Sequence, residues 1–275
     1  MARSVGFVAF LDVLGFADLM SREDHEQRLE EYFSAVSTYG SAEGASGLQH
    51  VLFSDSIVIN TTSLGVESFG LLARNCSRLA GLLITRGVAV RGAIAHGTFS
   101  RSSGTNGTIV AGAPIIDAYR REQEQEWVGI SLCPRVLDAV PLEELCALVE
   151  NVGNVGDSSR QAKIKANLPL LLHVQQALIP LRGGTAFEDH SVEGYAIVPS
   201  DASLETPQSL FYSVDRIDKA LQRMKLRAPD ARAQKKYVAA QEFLRKVAFR
   251  WQVLNNYGFE QFIAAAGDAG SDLGP

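Results

Sequence analysis

The chain has 275 residues, 46% of them hydrophobic and 21% charged, and a formal net charge of −5. This length and mix suit one large globular domain with a sizeable core and exclude a disordered or fibrous chain. The acidic balance argues against a broad nucleic-acid surface, which needs clustered Lys and Arg, yet leaves room for one local electropositive site.

In chain order, Val5 to Leu11 is an apolar run rich in Val and Phe, consistent with a strand buried on both faces. It ends at Asp12, and Val13-Leu14-Gly15-Phe16 reads as a turn opening a helix. From Ser21, an N-cap candidate, to Tyr39 the spacing of Leu29, Tyr32, Phe33 and Val36 predicts a helix. Gly40 to Gly47 is a Gly/Ser/Ala loop. Leu48 to Phe53 and Ile57 to Thr61 are two apolar runs separated by Ser54-Asp55-Ser56, a hairpin with the polar triplet at its bend. Val66 to Arg86 predicts an amphipathic helix stopped by Gly87. Val88 to Phe99 reads as a long strand, Arg101 to Thr108 as a loop, Pro114 to Glu124 as a helix and Trp127 to Leu132 as a strand. This order predicts a ferredoxin-like antiparallel sheet backed by helices on one face.

Past Pro134 the pattern weakens. Pro141 to Glu150 suggests a short helix, Asn151 to Ala166 a polar stretch, and Gly194 to Val198 a strand. Two helices follow, from Gln208 to Arg227 and from Ala231 to Trp251. Gly267 to Pro275 reads as a disordered tail. Cys76, Cys133 and Cys146 lack zinc-ligand spacing and read as buried thiols in a reducing compartment. The early run makes a poor signal peptide, and Arg74, Asn75 and Arg78 interrupt the longest apolar stretch, so no membrane span and a cytoplasmic location are expected.

Asp12 and Asp55 each follow an apolar strand directly. Taken singly, Asp12 reads as a helix N-cap and Asp55 as a hairpin-turn residue. Taken together, with the first strand packed beside the second and third, they stand at one end of the sheet. Two such carboxylates repel unless a divalent cation lies between them, and Mg²⁺ or Mn²⁺ held by carboxylates and substrate phosphates is the natural occupant.

The segment Phe10-Leu11-Asp12-Val13-Leu14-Gly15-Phe16 resembles the first metal motif of class III adenylyl and guanylyl cyclases, F-x-D-I-x-G-F. Phe53-Ser54-Asp55-Ser56 resembles their second metal motif, normally a Gly-Asp in a hairpin bend. Val90-Arg91-Gly92-Ala93-Ile94-Ala95-His96-Gly97 resembles the strand that follows, R-x-G-I-x-x-G, so the likeness runs from Val5 to Leu132. More narrowly, Ala9 to Phe16 and Gly112-Ala113-Pro114-Ile115-Ile116-Asp117-Ala118-Tyr119 are similar to blocks of the pyrimidine cyclases of the bacterial Pycsar antiphage system. The resemblance implies an α+β, ferredoxin-like catalytic domain over 1–200 with an insertion near 141–190. C-terminal helices over 201–266 would pack on it, ahead of a flexible tail over 267–275.

The same resemblance implies a lyase that closes a nucleoside triphosphate into a 3′,5′-cyclic monophosphate and releases pyrophosphate. Two divalent metal ions, Mn²⁺ or Mg²⁺, would be held by Asp12, Asp55 and the Val13 backbone carbonyl. Leu14, Gly15 and Phe16 would bind the triphosphate through backbone N–H groups. Positions that read a purine in the family hold Val51 and Ile109 here, which favours a pyrimidine contacted by His50, Val51 or Phe53. His50 also reads as a polar strand residue facing solvent. Uracil, with two carbonyls, is expected ahead of cytosine, giving cyclic UMP as a messenger in antiviral defence that reaches an effector only through the product. The family's transition-state Asn aligns with Ile116 and its Arg with Arg120; Arg120 and Arg121 are the candidate catalytic arginines, and both also read as a solvated helix face. Arg160, Lys163 or Lys165 are further candidates for the triphosphate, with no spacing that selects among them. Family sites lie between two protomers, which implies a homodimer with shared sites. A catalytically silent nucleotide-binding dimer acting as a sensor is the alternative. A ferredoxin-like RNA-binding module would need aromatics on strands that are here aliphatic.

Overall fold

The apolar run near the N-terminus forms β1 (Ala2–Val13) in the computed structural model, which describes residues 2–16, 20–21, 23, 25–40, 48–104, 107–150, 158–182 and 191–256. β1 lies between β3 (Ser56–Thr61) and β4 (Val90–Gly104), antiparallel to both. Among the described residues β2 (Leu48–Phe53) pairs only with β3. With α1 (His25–Gly40) and α2 (Val66–Thr85), these strands make a βαββαβ unit of strand order β4-β1-β3-β2. That is the split βαβ arrangement, so the expected α+β, ferredoxin-like architecture is present. One detail of the expectation is corrected: β1 does not touch β2. Ile57, Ile59, Asn60 and Thr61 of β3 are buried, whereas every residue of β2 is at least partly exposed, so the arm richer in β-branched residues takes the interior place.

Alternation of side chains along β1 separates the two faces of the sheet. Phe7, Ala9, Leu11 and Val13 point toward α1 and α2, where the Phe7 ring meets Phe69 at 5.2 Å and Tyr32 is buried in the same core. Burying each of the larger side chains contributes about 1.5–3 kcal/mol. Val8, Phe10 and Asp12 point the other way, where α3 (Ala113–Glu124) crosses and Tyr119 meets the Phe10 ring edge-on at 5.4 Å. Gly92 of β4 allows this strand its close approach to β1, since a Cβ there would sit 2.5 Å from the Leu11 side chain and the Phe10 carbonyl.

The sheet then extends past β4. β6 (Gly129–Leu132) joins it in parallel, and β8 (Ser191–Ile197) and β7 (Val174–Pro180) follow antiparallel. β5 (Gly107–Gly112) folds back on the far half of β4. The stretch Arg101–Thr108, expected as a loop, is therefore mostly a hairpin. Its Ser, Gly and Thr content reads as turn, but the ladder uses only backbone groups. α1 starts at His25 and not at Ser21. A short 3₁₀ turn (Pro134–Asp138) and α4 (Leu142–Glu150) follow β6. The sequence did not reveal α5 (Ser158–His173) or β7; Pro169 inside α5 reads as a breaker, and Lys and Asn interrupt its apolar spacing.

α6 (Pro207–Leu226) begins with a capping box between Thr206 and Ser209, and α7 (Ala231–Asn256) packs against it. Leu210, Ile217 and Leu221 of α6 and Leu244 and Trp251 of α7 belong to the same buried cluster as β1 and α2. The three cysteines are buried. Among the described residues no helix is long and apolar enough to cross a membrane. The expected tail, 267–275, and most of the Gly40–Gly47 loop lie outside the described residues.

Candidate active site

The end of β1 is tied to the β2–β3 bend by the backbone, because the Val13 N–H donates to the Asp55 carbonyl at 2.9 Å. Asp12 stands opposite Ser56 in the ladder, so Asp12 and Asp55 lie at the same end of the sheet, and Asp12 feels the charge of Asp55. The bend is a two-residue turn, and Ser54 carries its positive φ of 53°. Among the described residues it is the one non-glycine residue with positive φ. Leu14 is anchored by its N–H to the Ala89 carbonyl at 2.9 Å, and Gly15 turns the chain at φ 71°, a conformation that suits glycine.

Electrostatics mark Asp12 as the centre of this corner. Burial first, then the negative charges of Glu122 and Asp55, push its carboxyl from the ordinary 3.8 up to about 6, against the pull of Arg91 and Lys236. Burial, with Asp55 and Asp12 adding to it, raises the Tyr32 hydroxyl to about 12. That hydroxyl is buried and has no hydrogen-bond partner among the described residues.

Beside Asp12, across β4, sits a charged pair that sequence reasoning missed. Arg91 is the ladder partner of Asp12, and its guanidinium is bound to the fully buried Glu122 of α3. Arg91 also donates to the Gln125 carbonyl at 3.2 Å; Gln125 in turn bonds the Gly129 carbonyl at 2.9 Å and accepts from Ser131 at 2.7 Å. A buried ion pair is tolerated when its remaining groups are satisfied in this way. The available signal was the Arg of the R-x-G segment, placed by antiparallel pairing next to the first aspartate.

The remaining candidates separate by face and by distance. Phe53, Ser56, Asp12, Arg91 and Gly129 form one row across the sheet, and Val51, Val58, Phe10, Ala93 and Ser131 the next row on the same face. Phe53, 79% exposed, thus stands two strands from Asp12, about 10 Å away, with Val51 beside it. His50 points to the opposite face with Leu48 and Leu52 and is exposed, so the structure does not bring it to Asp12. Ile109 pairs with Ser102, and β4 runs about 35 Å from Arg91 to Ser102 at roughly 3.3 Å per residue, so within one chain Ile109 is remote. Arg120 is exposed on α3, and Arg121 is mostly covered, with Glu124 at 3.9 Å. Ile116 is 51% exposed on the same helix. Phe16 packs edge-on to Tyr32 at 6.1 Å. Lys163 and Lys165 are exposed on α5.

Asp12 and Asp55 fit a divalent cation by charge: two carboxylates stand at one corner, and the charge of Asp55 adds to the cost of ionising Asp12. They stand as a pair, since among the described residues no three His, Cys, Asp or Glu side chains gather as a ready-made metal cluster.

No protein-family model matches the chain, and no curated protein does. Several solved structures are similar to it. A guanylyl cyclase domain of the RhoGC fusion protein from Blastocladiella emersonii shares 15% identity, covering 50% of this chain and 85% of that one, with a TM-score of 0.39. The adenylyl cyclase CyaB from Pseudomonas aeruginosa shares 13% identity over 74% of this chain and 98% of its own, with a TM-score of 0.42. An adenylate cyclase from Trypanosoma brucei shares 11% identity over 70% and 89%, with a TM-score of 0.41. Overlaps of this size carry no weight beside the geometry of the Asp12 corner.

Proposed function

We propose that the chain is a class III-type nucleotide cyclase that converts a pyrimidine nucleoside triphosphate, UTP ahead of CTP, into its 3′,5′-cyclic monophosphate and pyrophosphate. The observation that carries this reading is the convergence of Asp12 and Asp55 at the end of a central strand, joined by the Val13–Asp55 hydrogen bond and followed at once by the Gly15 turn. A ferredoxin-like sheet with two carboxylates at a strand end suits phosphoryl chemistry, in which positioning and charge stabilisation supply most of the acceleration.

In this reading Asp12, Asp55 and the Val13 carbonyl hold two divalent cations, Mg²⁺ or Mn²⁺. When bound, these supply Lewis-acid stabilisation of charge on the attacking and leaving oxygens. The Leu14 N–H is taken by the Ala89 carbonyl, so of the three expected phosphate donors the backbone N–H groups of Gly15 and Phe16 are left to orient the triphosphate for in-line attack of the ribose 3′-oxygen on the α-phosphorus. Arg120 or Arg121, from a second copy, offsets charge on the α-phosphoryl group. The exposed apolar side chains of Phe53, Ile116 and Tyr119 near the site support a homodimer. Val51 and Phe53 offer a base apolar contact and no side-chain hydrogen bond, which disfavours a purine edge. Cyclic UMP would then act as a messenger in antiphage defence, as the Pycsar resemblance implies.

Purified chain with equimolar ATP, GTP, CTP and UTP and Mn²⁺, followed by chromatography, tests the proposal. Cyclic UMP as the main product is expected; dominant cyclic AMP or GMP would overturn the base assignment. Nucleotide binding without any cyclic product would favour the silent sensor, the reading that an exposed Ile116 in place of the family's Asn supports.

A further inference from the structure

A second feature of the site comes from the C-terminal helices. A cavity of about 590 Å³, within the size range of small-molecule sites, opens beside Leu14 and Gly15 at the Asp12 end of the sheet. Its other walls are the α2–β4 connection and the junction of α6 with α7. Four cationic side chains line it, Arg86, Arg223, Arg227 and Lys236, against one carboxylate, Glu31. In a chain of net charge −5 this is a local reversal of sign.

Two observations separate this cluster from an ordinary solvated surface. Among the described residues, no carboxylate lies within ion-pair distance of Arg223, Arg227 or Lys236, although the chain pairs Arg182, Arg216 and Arg232 with acids. Lys236 is also half-buried; burial disfavours its charge, Glu126 is the carboxylate that favours it, and the ammonium in turn lowers the cost of ionising Asp12, which ties the cavity to the carboxylate corner. The end of α6 shows how like charges are tolerated there without a ligand. Its last-turn carbonyls are a favourable place for Arg223, and Arg227 caps the helix.

We infer that this cavity is a polyphosphate-binding site in which Arg223, Arg227 and Lys236, brought by α6 and α7, receive the β- and γ-phosphates of the nucleotide and then the released pyrophosphate. The inference rests on the cyclase reading for the identity of the nucleotide, but the cavity's chemistry can be tested without turnover. Leu14 and Gly15, two and three residues after Asp12, line the cavity, so a triphosphate whose α-phosphorus is at the carboxylates would reach the three cations along this turn.

Calorimetric titration of the full chain with inorganic tripolyphosphate and Mg²⁺ is the test. Arg223 and Arg227 are exposed, so the double variant Arg223→Ala, Arg227→Ala keeps its fold, checked by thermal melting. It should bind tripolyphosphate about tenfold or more weakly, as lost charged hydrogen bonds require, and Lys236→Met should do the same. A non-hydrolysable UTP analogue should displace tripolyphosphate from the wild-type chain. Unchanged affinity in both variants, or no displacement by the analogue, overturns the site. Normal cyclisation with such a result would leave the cyclase reading standing, whereas variant-sensitive tripolyphosphate binding without cyclisation of any nucleotide would sink the cyclase reading and leave the cavity as a polyphosphate site.

Discussion

Replacing Asp12 by Asn should stabilise the metal-free protein at neutral pH, because it removes a charge that the fold disfavours. The carboxyl rises from 3.8 to about 6 through burial and the neighbouring Glu122 and Asp55. At about 1.4 kcal/mol per pKa unit this corresponds to ~3 kcal/mol for a fully buried group. Asp12 is only half-buried, and solvent screening reduces the figure to about 1–2 kcal/mol. For a chain of this size that raises Tm by roughly 3–6 °C. A carboxyl with a raised folded value holds its proton more tightly in the folded state, so its stability contribution is complete below pH 3.8 and is lost as pH rises through about 6. The advantage of Asp12→Asn should accordingly be near zero at pH 4 and complete by pH 7.5. Melting curves in EDTA across this range measure it. Adding Mn²⁺ at pH 7.5 should then raise the wild type and leave the variant nearly unchanged, since metal binding to the folded state is linked to stability. An advantage of equal size at pH 4 and pH 7.5, or a variant less stable than wild type at pH 7.5 in EDTA, would refute the electrostatic account of this corner.

Three further outcomes follow from the same geometry. Glu122→Gln leaves the Arg91 guanidinium buried beside a neutral partner, and urea denaturation should show a loss of about 3–5 kcal/mol; a loss below about 1 kcal/mol would mean the pair is solvated. Asp55→Ala should lower turnover at least ~10³-fold with little change in melting, and mixing it with an inactive Arg120→Ala, Arg121→Ala chain should restore activity; no recovery despite subunit exchange counts against shared sites. Ser54→Val forces a β-branched residue into the turn at φ 53° and should cost about 1–2 kcal/mol by thermal melting, whereas Ser54→Gly should not.

The carboxylate corner was legible because its information is local. An apolar strand ends in Asp12, an apolar hairpin bends at Asp55, and one backbone hydrogen bond joins them. Strand neighbours were less legible, since burial decides whether β2 or β3 takes the place beside β1, and the two runs look alike in composition. The β4–β5 hairpin was hidden for a related reason: Ser102 and Ser103 join the ladder through backbone groups that their side chains do not advertise. His50 and Val51 are adjacent in sequence, yet alternation along β2 sends them to opposite faces, so a one-residue choice decides which can meet a base at the Asp12 side.

Glu122 and Lys236 lay beyond sequence reasoning because their roles depend on contacts across the fold. Glu122 sits in a helix segment, Arg120 to Glu124, whose charges read as a solvated face, and only the crossing of α3 over β1 and β4 buries it against Arg91. That placement has a consequence for the chemistry of the corner. Glu122 raises the cost of ionising Asp12 while Arg91 and Lys236 lower it, so the carboxylate is held near the point where protonation and cation binding compete. Arg91 is bound to Glu122, and Lys236 lines the cavity beside Gly15. Asp12, Asp55 and Glu122 thus gather negative charge at the strand end that Arg91 and Lys236 offset only in part, and the cavity gathers cations of which Glu126 offsets Lys236 only in part. An isolated anion or an isolated cation satisfies only one of these. In the proposed reading a polyphosphate accompanied by divalent cations would satisfy both, with Asp12 and Asp55 holding the metals and α6 and α7 receiving its terminal oxygens.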